Sequence, residues 1–334
     1  MKEIIKAIQD RTLQMDMSEC NWGEGVALWG FNRSVQAVPN GLYLPFLVEW
    51  VKKGVSENRF KNTVNNSIPC IGIGEVFKAT KDPVLFKIMV AQADYLLYEA
   101  PRLNNGAIIH TDPYAEFGRQ MWADTIFMAG LYLAYMGKLT GNNDYIKEAM
   151  NQLKIHIQVL QDADGLLYHG WDEHTGKHIG CKWGRANAWV SVGIVEMLDY
   201  TPVDSDLICA LKKQLDAVAE YQKENGLWRT VIDGTFSYLE ASCAYGFGYA
   251  ILKGVRLGVL DAKYLEIVEK MKETLRTNVD ADGKVMNVSA GTPVMRNEPE
   301  YNIICEHRIQ PWGQGLALLY FTEALMNKTS GGVK

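Results

Sequence analysis

The stretch Ala163-Asp164-Gly165-Leu166-Leu167 has three counterparts along the chain, each with polar residues before a glycine and mostly apolar residues after it. They are Asn104-Asn105-Gly106-Ala107-Ile108, Glu224-Asn225-Gly226-Leu227-Trp228 and Ala281-Asp282-Gly283-Lys284-Val285. The four glycines lie at positions 106, 165, 226 and 283, so that 59, 61 and 57 residues separate them. A near-constant spacing of this length is typical of one supersecondary unit repeated along a chain.

Each repeat contains two predicted helices. Apolar residues recur at helical spacing over 122–138 and 144–160, with a polar turn at 140–143 between them. The same pattern predicts helices at 186–200, 206–223, 238–257, 262–277 and 311–326, and it limits strand-like alternation to short stretches after each glycine. A chain of 334 residues has room for five to six such pairs. We therefore predict an all-α fold, an (α/α)6 barrel or six-hairpin toroid, as a single domain over residues 1–334.

The composition narrows the possible functions. Apolar and aromatic residues make up 48% of the chain and charged residues 22%, with a formal net charge of −5. These values predict a globular protein and disfavour nucleic acid or an anionic membrane as partners. The chain has no apolar run of about 18 residues and no apolar signal core near Met1, which predicts a cytoplasmic location. Its six cysteines form no CxxC pair and are expected to be reduced thiols.

In such a toroid the loops that contain the glycines are expected to surround a pocket at one mouth of the ring. Small ligands favour pockets of this kind. Several of the nine tryptophans fall in or beside these loops, and tryptophan near histidine, arginine and aspartate suits a sugar, which has an apolar face and a rim of hydroxyls. For any single tryptophan, packing in the helical core is an equal alternative.

Three motifs occur in order and carry a family resemblance. They are Trp122-Ala123-Asp124-Thr125-Ile126-Phe127-Met128, Tyr168-His169-Gly170-Trp171-Asp172 and Trp183-Gly184-Arg185-Ala186-Asn187-Ala188-Trp189. The set resembles the patterns W-x-D-T-x-F-M, Y-H-x-W-D and W-G-R-x-x-x-W of the unsaturated uronyl hydrolases of glycoside hydrolase family 105, which are relatives of family 88. The likeness includes Trp22 and His110 and spans nearly the whole chain.

The resemblance implies an (α/α)6 barrel, in agreement with the repeats. It also implies a small oligosaccharide substrate, left by a polysaccharide lyase, with an unsaturated uronate at its non-reducing end. Hydration of the C4=C5 bond would produce an unstable hemiketal that opens and releases the neighbouring sugar, as in pectin degradation. No cofactor is implied. Which uronic acid is used, and how many chains assemble, is not predicted.

Asp124 matches the catalytic aspartate of the family's W-x-D-T motif. The chemistry requires one group that protonates C4 and then, as a carboxylate, accepts a proton from the attacking water. We expect the apolar neighbours Trp122, Ile126, Phe127 and Met128 to raise the pKa of Asp124, whereas the dipole of a helix that begins there would lower it. Without the accompanying motifs, a helix cap would be the preferred interpretation.

Asn65 departs from the family pattern. The resemblance places a second acidic residue in a segment of the type L-D-N-x-x-P, and the corresponding stretch here is Val64-Asn65-Asn66-Ser67-Ile68-Pro69. An amide at position 65 still forms hydrogen bonds but does not titrate. Either Asp124 acts alone, or another acid such as Asp112 compensates, or the activity is reduced or altered. A plain polar turn before a helix is the alternative interpretation of this segment.

The remaining predicted site residues bind substrate. His169 and Asp172 are placed by the resemblance in the subsite of the unsaturated sugar. Arg185 suits the uronate carboxylate because a guanidinium binds it through two parallel hydrogen bonds. Stacking on sugar faces is expected of Trp183 and Trp189, and the list is completed by Trp22 and His110. Packing or a structural ion pair is the alternative for each.

Other signals are weak. His174 and His178 have the spacing of two metal ligands on a helix, but Thr175-Gly176 between them indicates a turn and no third ligand is evident, so no metal is predicted.

Two other functions remain open. One is a sugar epimerase on the same fold, and the other is a carbohydrate-binding protein derived from the hydrolase, for which Asn65 is the main argument.

Overall fold

Paired helices form most of the protein in the computed structural model, which describes residues 1–306 and 309–329. In chain order the helices are α1 (Lys2–Thr12), α2 (Trp22–Val35), α3 (Tyr43–Ser56), α4 (Pro69–Thr80), α5 (Pro83–Asp94), α6 (Leu131–Thr140), α7 (Asn143–Leu160), α8 (Gly184–Met197), α9 (Ser205–Tyr221), α10 (Ala241–Arg256), α11 (Leu265–Thr277), α12 (Glu298–Asn302) and α13 (Pro311–Thr329). Three of them adjoin short segments of a different helix type. The π-helical segments Tyr95–Glu99 and Ile126–Gly130 follow α5 and precede α6, and the 3-10 helix Ala262–Tyr264 precedes α11.

The long helices alternate between two concentric rings. Over the described ranges, the inner ring consists of α2, α4, α6, α8, α10 and α13, each packed against its neighbours in the ring, and α1, α3, α5, α7, α9 and α11 form the outer ring. The distribution of apolar residues along each helix explains why it lies in the inner or the outer ring. Every residue of α8 is buried, whereas α7 buries one apolar face and exposes the other, as expected of inner and outer helices. The predicted all-α (α/α)6 barrel is confirmed.

The ring closes where the first and last inner helices meet. A β-carbon at Gly30 in α2 would lie 2.1 Å from the carbonyl oxygen of Gly315 in α13, so the two backbones are in direct contact at this point. Only glycine permits such an approach. Closure therefore depends on a residue pair separated by most of the chain.

The glycine repeat corresponds to one turn that occurs four times, after α5, α7, α9 and α11. Gly106, Gly165, Gly226 and Gly283 all have positive φ, between 77° and 103°. In each case the glycine N–H donates to the carbonyl three residues earlier, at 2.9–3.1 Å. The two connections before α2 and α4 lack this turn, which is why the repeat appears only four times in a ring of six pairs.

Short strands connect the loops at the end of the barrel where the inner helices begin. Strands β1 (Gln120–Trp122), β2 (Gly170–Asp172) and β3 (Lys177–Ile179) form an antiparallel sheet in that order, and β4 (Trp228–Arg229) pairs with β5 (Leu239–Glu240). Two predicted helices begin later than expected. Trp122 lies in β1, and α10 begins at Ala241 because the carboxylate of Glu240 accepts the Cys243 N–H as a cap.

No helix in the described part of the chain is long and apolar enough to cross a bilayer.

Candidate active site

A cavity of about 250 Å³ lies where the inner helices begin. Its walls combine aromatic side chains with a few polar ones: Trp22, Asn65, His110, Asp112, Ala115, Phe117, Trp122, Asp124, Met128, Trp183, Gly291, Thr292 and Pro293. Trp22 is the first residue of α2, and Trp183 directly precedes α8. Because the positive ends of the helix dipoles are directed toward this end of the ring, it favours an anionic ligand.

Two larger hollows lie outside this cavity, one that adjoins it and one on the outer wall of the barrel. An open groove of about 560 Å³ shares Phe117, Trp122 and Pro293 with the cavity and continues past His178 and Arg296. A hollow of about 630 Å³ on the outer wall, beside α1 and α11, contains none of the predicted site residues. We place the site at the smaller cavity because the predicted acid lies there.

Asp124 is largely buried in the cavity wall, with 13% of its side chain exposed. Its Oδ2 atom lies 3.3 Å from Nε2 of His169, an ion-pair distance that is not aligned as a hydrogen bond, and neither atom has another hydrogen-bond partner among the described residues. Burial raises the pKa of Asp124, but the contact with His169 and the electrostatic influence of His169, His110 and Arg185 outweigh it. The pKa of Asp124 is therefore lowered. The raising effect expected from its apolar neighbours is present, but it is outweighed by groups that distant segments of the chain bring near Asp124.

His110 and His169 flank Asp124 in different ways. Nδ1 of His110 lies 3.0 Å from the Thr125 hydroxyl, and its ring stacks on Trp122 at 4.5 Å. Burial lowers the pKa of His110 to about 4, so that it is neutral at neutral pH. His169 is fully buried behind the cavity wall, with Nδ1 2.7 Å from the Tyr301 hydroxyl. His110 therefore lines the cavity, whereas His169 reaches it through Asp124.

Asn65 and Asp112 form a hydrogen-bonded pair in the cavity wall. Nδ2 of Asn65 donates to Oδ2 of Asp112 at 2.8 Å, and Nδ2 of Asn21 donates to the same oxygen at 3.1 Å. The Tyr114 N–H donates to the other oxygen, Oδ1, at 2.8 Å. The cavity thus contains a second carboxylate, held in place by two amides.

Arg185 does not line the cavity. Its side chain is fully buried, and Nη1 lies 3.4 Å from Oε1 of Glu240 and also donates to the Ser289 hydroxyl. Nη2 donates to the Ala290 carbonyl at 2.8 Å and to the Thr292 hydroxyl at 3.2 Å. The Nη groups, which the sequence predicts to bind a substrate carboxylate, form hydrogen bonds with other residues of the protein. Arg185 instead holds the 289–292 loop, which forms part of the cavity wall.

The other predicted binding residues divide into two groups. Trp22 and Trp183 line the cavity, as predicted. Trp189 is fully buried in the core, stacked on Phe127 at 5.0 Å, and does not reach the cavity. Asp172 closes the turn between β2 and β3, where its Oδ1 accepts the Thr175 N–H at 2.8 Å. It does not reach the cavity either.

Sequence reasoning missed several residues of this site. Phe117 lines the cavity, but it belongs to no pattern that distinguishes it from a core residue. Tyr301 touches His169 across a separation of 132 residues. No local signal identifies such a contact. Within the described ranges, no cluster of three or more histidine, cysteine or acidic side chains could hold a metal ion.

Comparison with known proteins agrees with this architecture. The model of Glycosyl Hydrolase Family 88 matches residues 1–328. Unsaturated rhamnogalacturonyl hydrolase YesR of Bacillus subtilis is 35% identical over 337 residues, which cover 97% of this chain and 95% of the relative. A crystal structure of a possible member of family 105 from Salmonella enterica has a TM-score of 0.90 at 28% identity, covering 97% of this chain and 93% of that one.

A more distant solved structure shares the fold. Unsaturated glucuronyl hydrolase from a Bacillus species superimposes with a TM-score of 0.74 at 17% identity, covering 99% of this chain and 97% of that one. Together with the helical toroid and its acidic, aromatic cavity, these matches define a glycoside hydrolase. The chain belongs to Glycosyl Hydrolase Family 88, and the family resemblance of its motifs is confirmed.

Proposed function

We propose that this protein hydrolyses unsaturated uronyl oligosaccharides left by polysaccharide lyases, with Asp124 as general acid and base. The observation that carries the proposal is the position of Asp124, in an aromatic-walled cavity of about 250 Å³, the scale of one sugar ring. The name of the Bacillus subtilis relative, an unsaturated rhamnogalacturonyl hydrolase, supports the same substrate class. The cavity takes the unsaturated uronate, and the adjoining groove takes the neighbouring sugar.

The reaction consists of two proton transfers at one carboxyl group. Asp124 gives its proton to C4, and the electron pair of the C4=C5 bond forms the new C–H bond, which leaves an oxocarbenium-like cation at C5. The Asp124 carboxylate then takes a proton from the water that attacks C5. The resulting hemiketal opens, and the neighbouring sugar leaves.

The lowered pKa of Asp124 belongs to the unliganded protein, in which the group is ionised at neutral pH. A bound uronate adds a further negative charge to the same small cavity. Because a like charge raises the pKa of a carboxyl group, substrate binding favours the protonated, acidic form of Asp124. Binding is therefore expected to involve uptake of a proton.

The binding residues follow from their placement. Trp22, Trp183 and His110 contact the sugar directly, whereas His169 and Arg185 act through Asp124 and through the 289–292 loop. We further propose that residues 1–334 form one domain, which the closure of α13 on α2 supports. The cytoplasmic location stays a prediction.

The test is Asp124→Asn, because an amide has the same shape but does not deliver a proton. We expect a folded protein whose turnover falls by about 10²–10⁴-fold, measured as loss of the ultraviolet absorbance of the conjugated uronate in lyase digests. Asp216→Asn, an exposed substitution on α9, is the matched control and is expected to retain activity. Full turnover by Asp124→Asn would exclude Asp124 as the acid. If the wild type binds these oligosaccharides without changing the absorbance, the protein is a carbohydrate-binding derivative of the fold.

A further inference from the structure

The hydroxyl of Tyr301 lies on the opposite side of the His169 ring from Asp124. Tyr301, in the short helix α12, is fully buried. Its hydroxyl oxygen accepts the Met295 N–H at 3.3 Å and the Cys181 N–H at 3.5 Å. It also lies 2.7 Å from Nδ1 of His169. Three groups therefore surround one phenolic oxygen.

The numbers of hydrogens and lone pairs on the Tyr301 hydroxyl determine which group donates in its contact with His169. A phenolic hydroxyl has one hydrogen to donate and two lone pairs with which to accept. Backbone N–H groups only donate, so Met295 and Cys181 occupy both lone pairs. The Tyr301 hydrogen is left for Nδ1 of His169. Nδ1 is then an acceptor, and a neutral His169 carries its proton on Nε2.

The contact between the imidazole of His169 and Asp124 indicates the same tautomer, with the proton on Nε2. Nε2 of His169 lies 3.3 Å from Oδ2 of Asp124, and both atoms are buried without another hydrogen-bond partner in the described residues. With the proton on Nδ1, the lone pair of Nε2 would face a carboxylate oxygen. With the proton on Nε2, the ring directs N–H toward that oxygen. Contacts between catalytic groups are often long in unliganded enzymes and shorten with substrate.

We propose that Tyr301 is a positioning residue for this reaction: it fixes the tautomer of His169 in which Nε2–H points at Asp124. The inference rests on the proposed role of Asp124 and extends it. An N–H donor at Nε2 stabilises the Asp124 carboxylate between its two proton transfers. Tyr301 touches neither substrate nor Asp124, and acts only through His169.

The other groups around Asp124 are held by separate partners. His110 faces it from the residues before β1 and is engaged by Thr125, and Arg185 faces it from α8. Asp112, across the cavity, is bound by Asn21 and Asn65. None of these contacts includes the Tyr301 hydroxyl. Removing that hydroxyl should therefore change Asp124 through His169 alone.

The first test observes the tautomer directly by nitrogen-15 NMR of histidine-labelled protein, with the His169 signals assigned from His169→Gln. The wild type should show an unprotonated Nδ1 and a protonated Nε2. Tyr301→Phe should lose this pattern. The control Tyr43→Phe, which removes another buried hydroxyl, bonded to the Leu28 carbonyl in α2, should keep it. A wild-type His169 protonated on Nδ1, or an unchanged pattern in Tyr301→Phe, would overturn the proposal.

The second test measures the pH dependence of kcat, which reports the pKa of Asp124 in the substrate complex. Without an Nε2–H donor, the pKa of Asp124 rises, so in Tyr301→Phe the alkaline fall in activity should move up by about one pH unit, with kcat reduced more than KM is changed. Tyr43→Phe should leave the profile in place. A shifted tautomer with an unshifted profile would contradict the coupling to Asp124. If Asp124→Asn remains active, the proposed function fails, yet the NMR result still decides the tautomer.

Discussion

At the scale of single residues, the site distributes its polar groups differently from the family pattern. The amide of Asn65 is bonded to the carboxylate of Asp112, so a carboxylate and an amide share this part of the wall. A carboxylate at position 65 would therefore affect Asp112 before it affected Asp124.

Asn65→Asp should weaken substrate binding. It would place two carboxylates where Asn65 Nδ2 and Asp112 Oδ2 are now 2.8 Å apart, so one of them becomes protonated and the present hydrogen bond is lost. We expect KM to rise by about tenfold, since a hydrogen bond to a charged group contributes about 1.5–3 kcal/mol. The double variant Asn65→Asp with Asp112→Asn restores one carboxylate and one amide, and should recover most of the loss. Equal KM values in all three proteins would place the pair outside the binding site.

At the scale of structural elements, the four glycine turns connect each outer helix to the next inner helix. They share the same backbone geometry but differ in their surroundings. A β-carbon at Gly283 would lie 2.1 Å from the Ala7 carbonyl oxygen in α1, whereas at Gly106 the nearest atom, in Ile155, would be 3.6 Å away. The backbone conformation of the turn therefore requires glycine at position 106. At position 283 the close packing of α1 requires it as well.

This difference predicts unequal costs for the same substitution. Gly106→Ala should lower the free energy of unfolding by about 1–2 kcal/mol, the cost of a positive φ in a residue with a β-carbon. Gly283→Ala adds the displacement of α1, and the total should reach about 3 kcal/mol or more. Urea denaturation of the two variants measures both values. Equal losses would mean that α1 is free to move away from the turn.

At the scale of the whole molecule, the two ends of the barrel carry different charge arrangements. The cavity lies at the N-terminal end of the inner helices, and an ion cluster lies toward their C-terminal end. There Glu196 in α8 is fully buried, with Arg33 of α2 at 2.6 Å and Lys253 of α10 at 2.9 Å. Tyr249 donates its hydroxyl to the same carboxylate. The cluster ties three inner helices together and places cations near helix C-termini, where they are favoured.

Glu196 should make the stability of the protein depend on acid pH. Burial raises its pKa, but Arg33 and Lys253 outweigh burial and lower the pKa from 4.5 to about 2. A lowered folded-state pKa contributes stability above the unfolded-state value, and this contribution is lost as pH falls from about 4.5 toward about 2. Glu196→Gln should cost about 1.5–3 kcal/mol at neutral pH, because it removes one of the two carboxylates that pair with Arg33 and Lys253 and leaves both cations to Asp199.

The comparison with a surface pair isolates this effect. Glu273→Gln removes the carboxylate that Arg276 contacts on the exposed side of α11, and its thermal unfolding should match the wild type. The difference between wild type and Glu196→Gln should shrink as pH is lowered through the stated window. A difference that stays constant with pH would show that Glu196 acts through packing and not through its charge.

Local patterns were enough to predict the architecture and to single out Asp124, which lies in the cavity wall. The spacing of four glycines predicted six helix pairs because the turn that joins two helices needs a residue with positive φ, a property of the residue itself. The motif around Asp124 predicted the carboxyl group that the cavity now contains. Periodicity also placed most helices correctly, with errors at 122 and 238 where short strands precede the helix.

Contacts between distant segments decided the rest. Whether Arg185 faces a substrate or the 289–292 loop, whether Asn65 stands beside Asp124 or Asp112, and which group lies behind His169 all depend on residues far apart in the chain. The direction of the Asp124 pKa depends on them too, because electrostatic interactions follow distance in space and not separation along the sequence. The sequence by itself determined the ring and singled out Asp124, which lies in its cavity. Only the tertiary structure decided the charges and hydrogen bonds around that acid, since these arise when the ring closes.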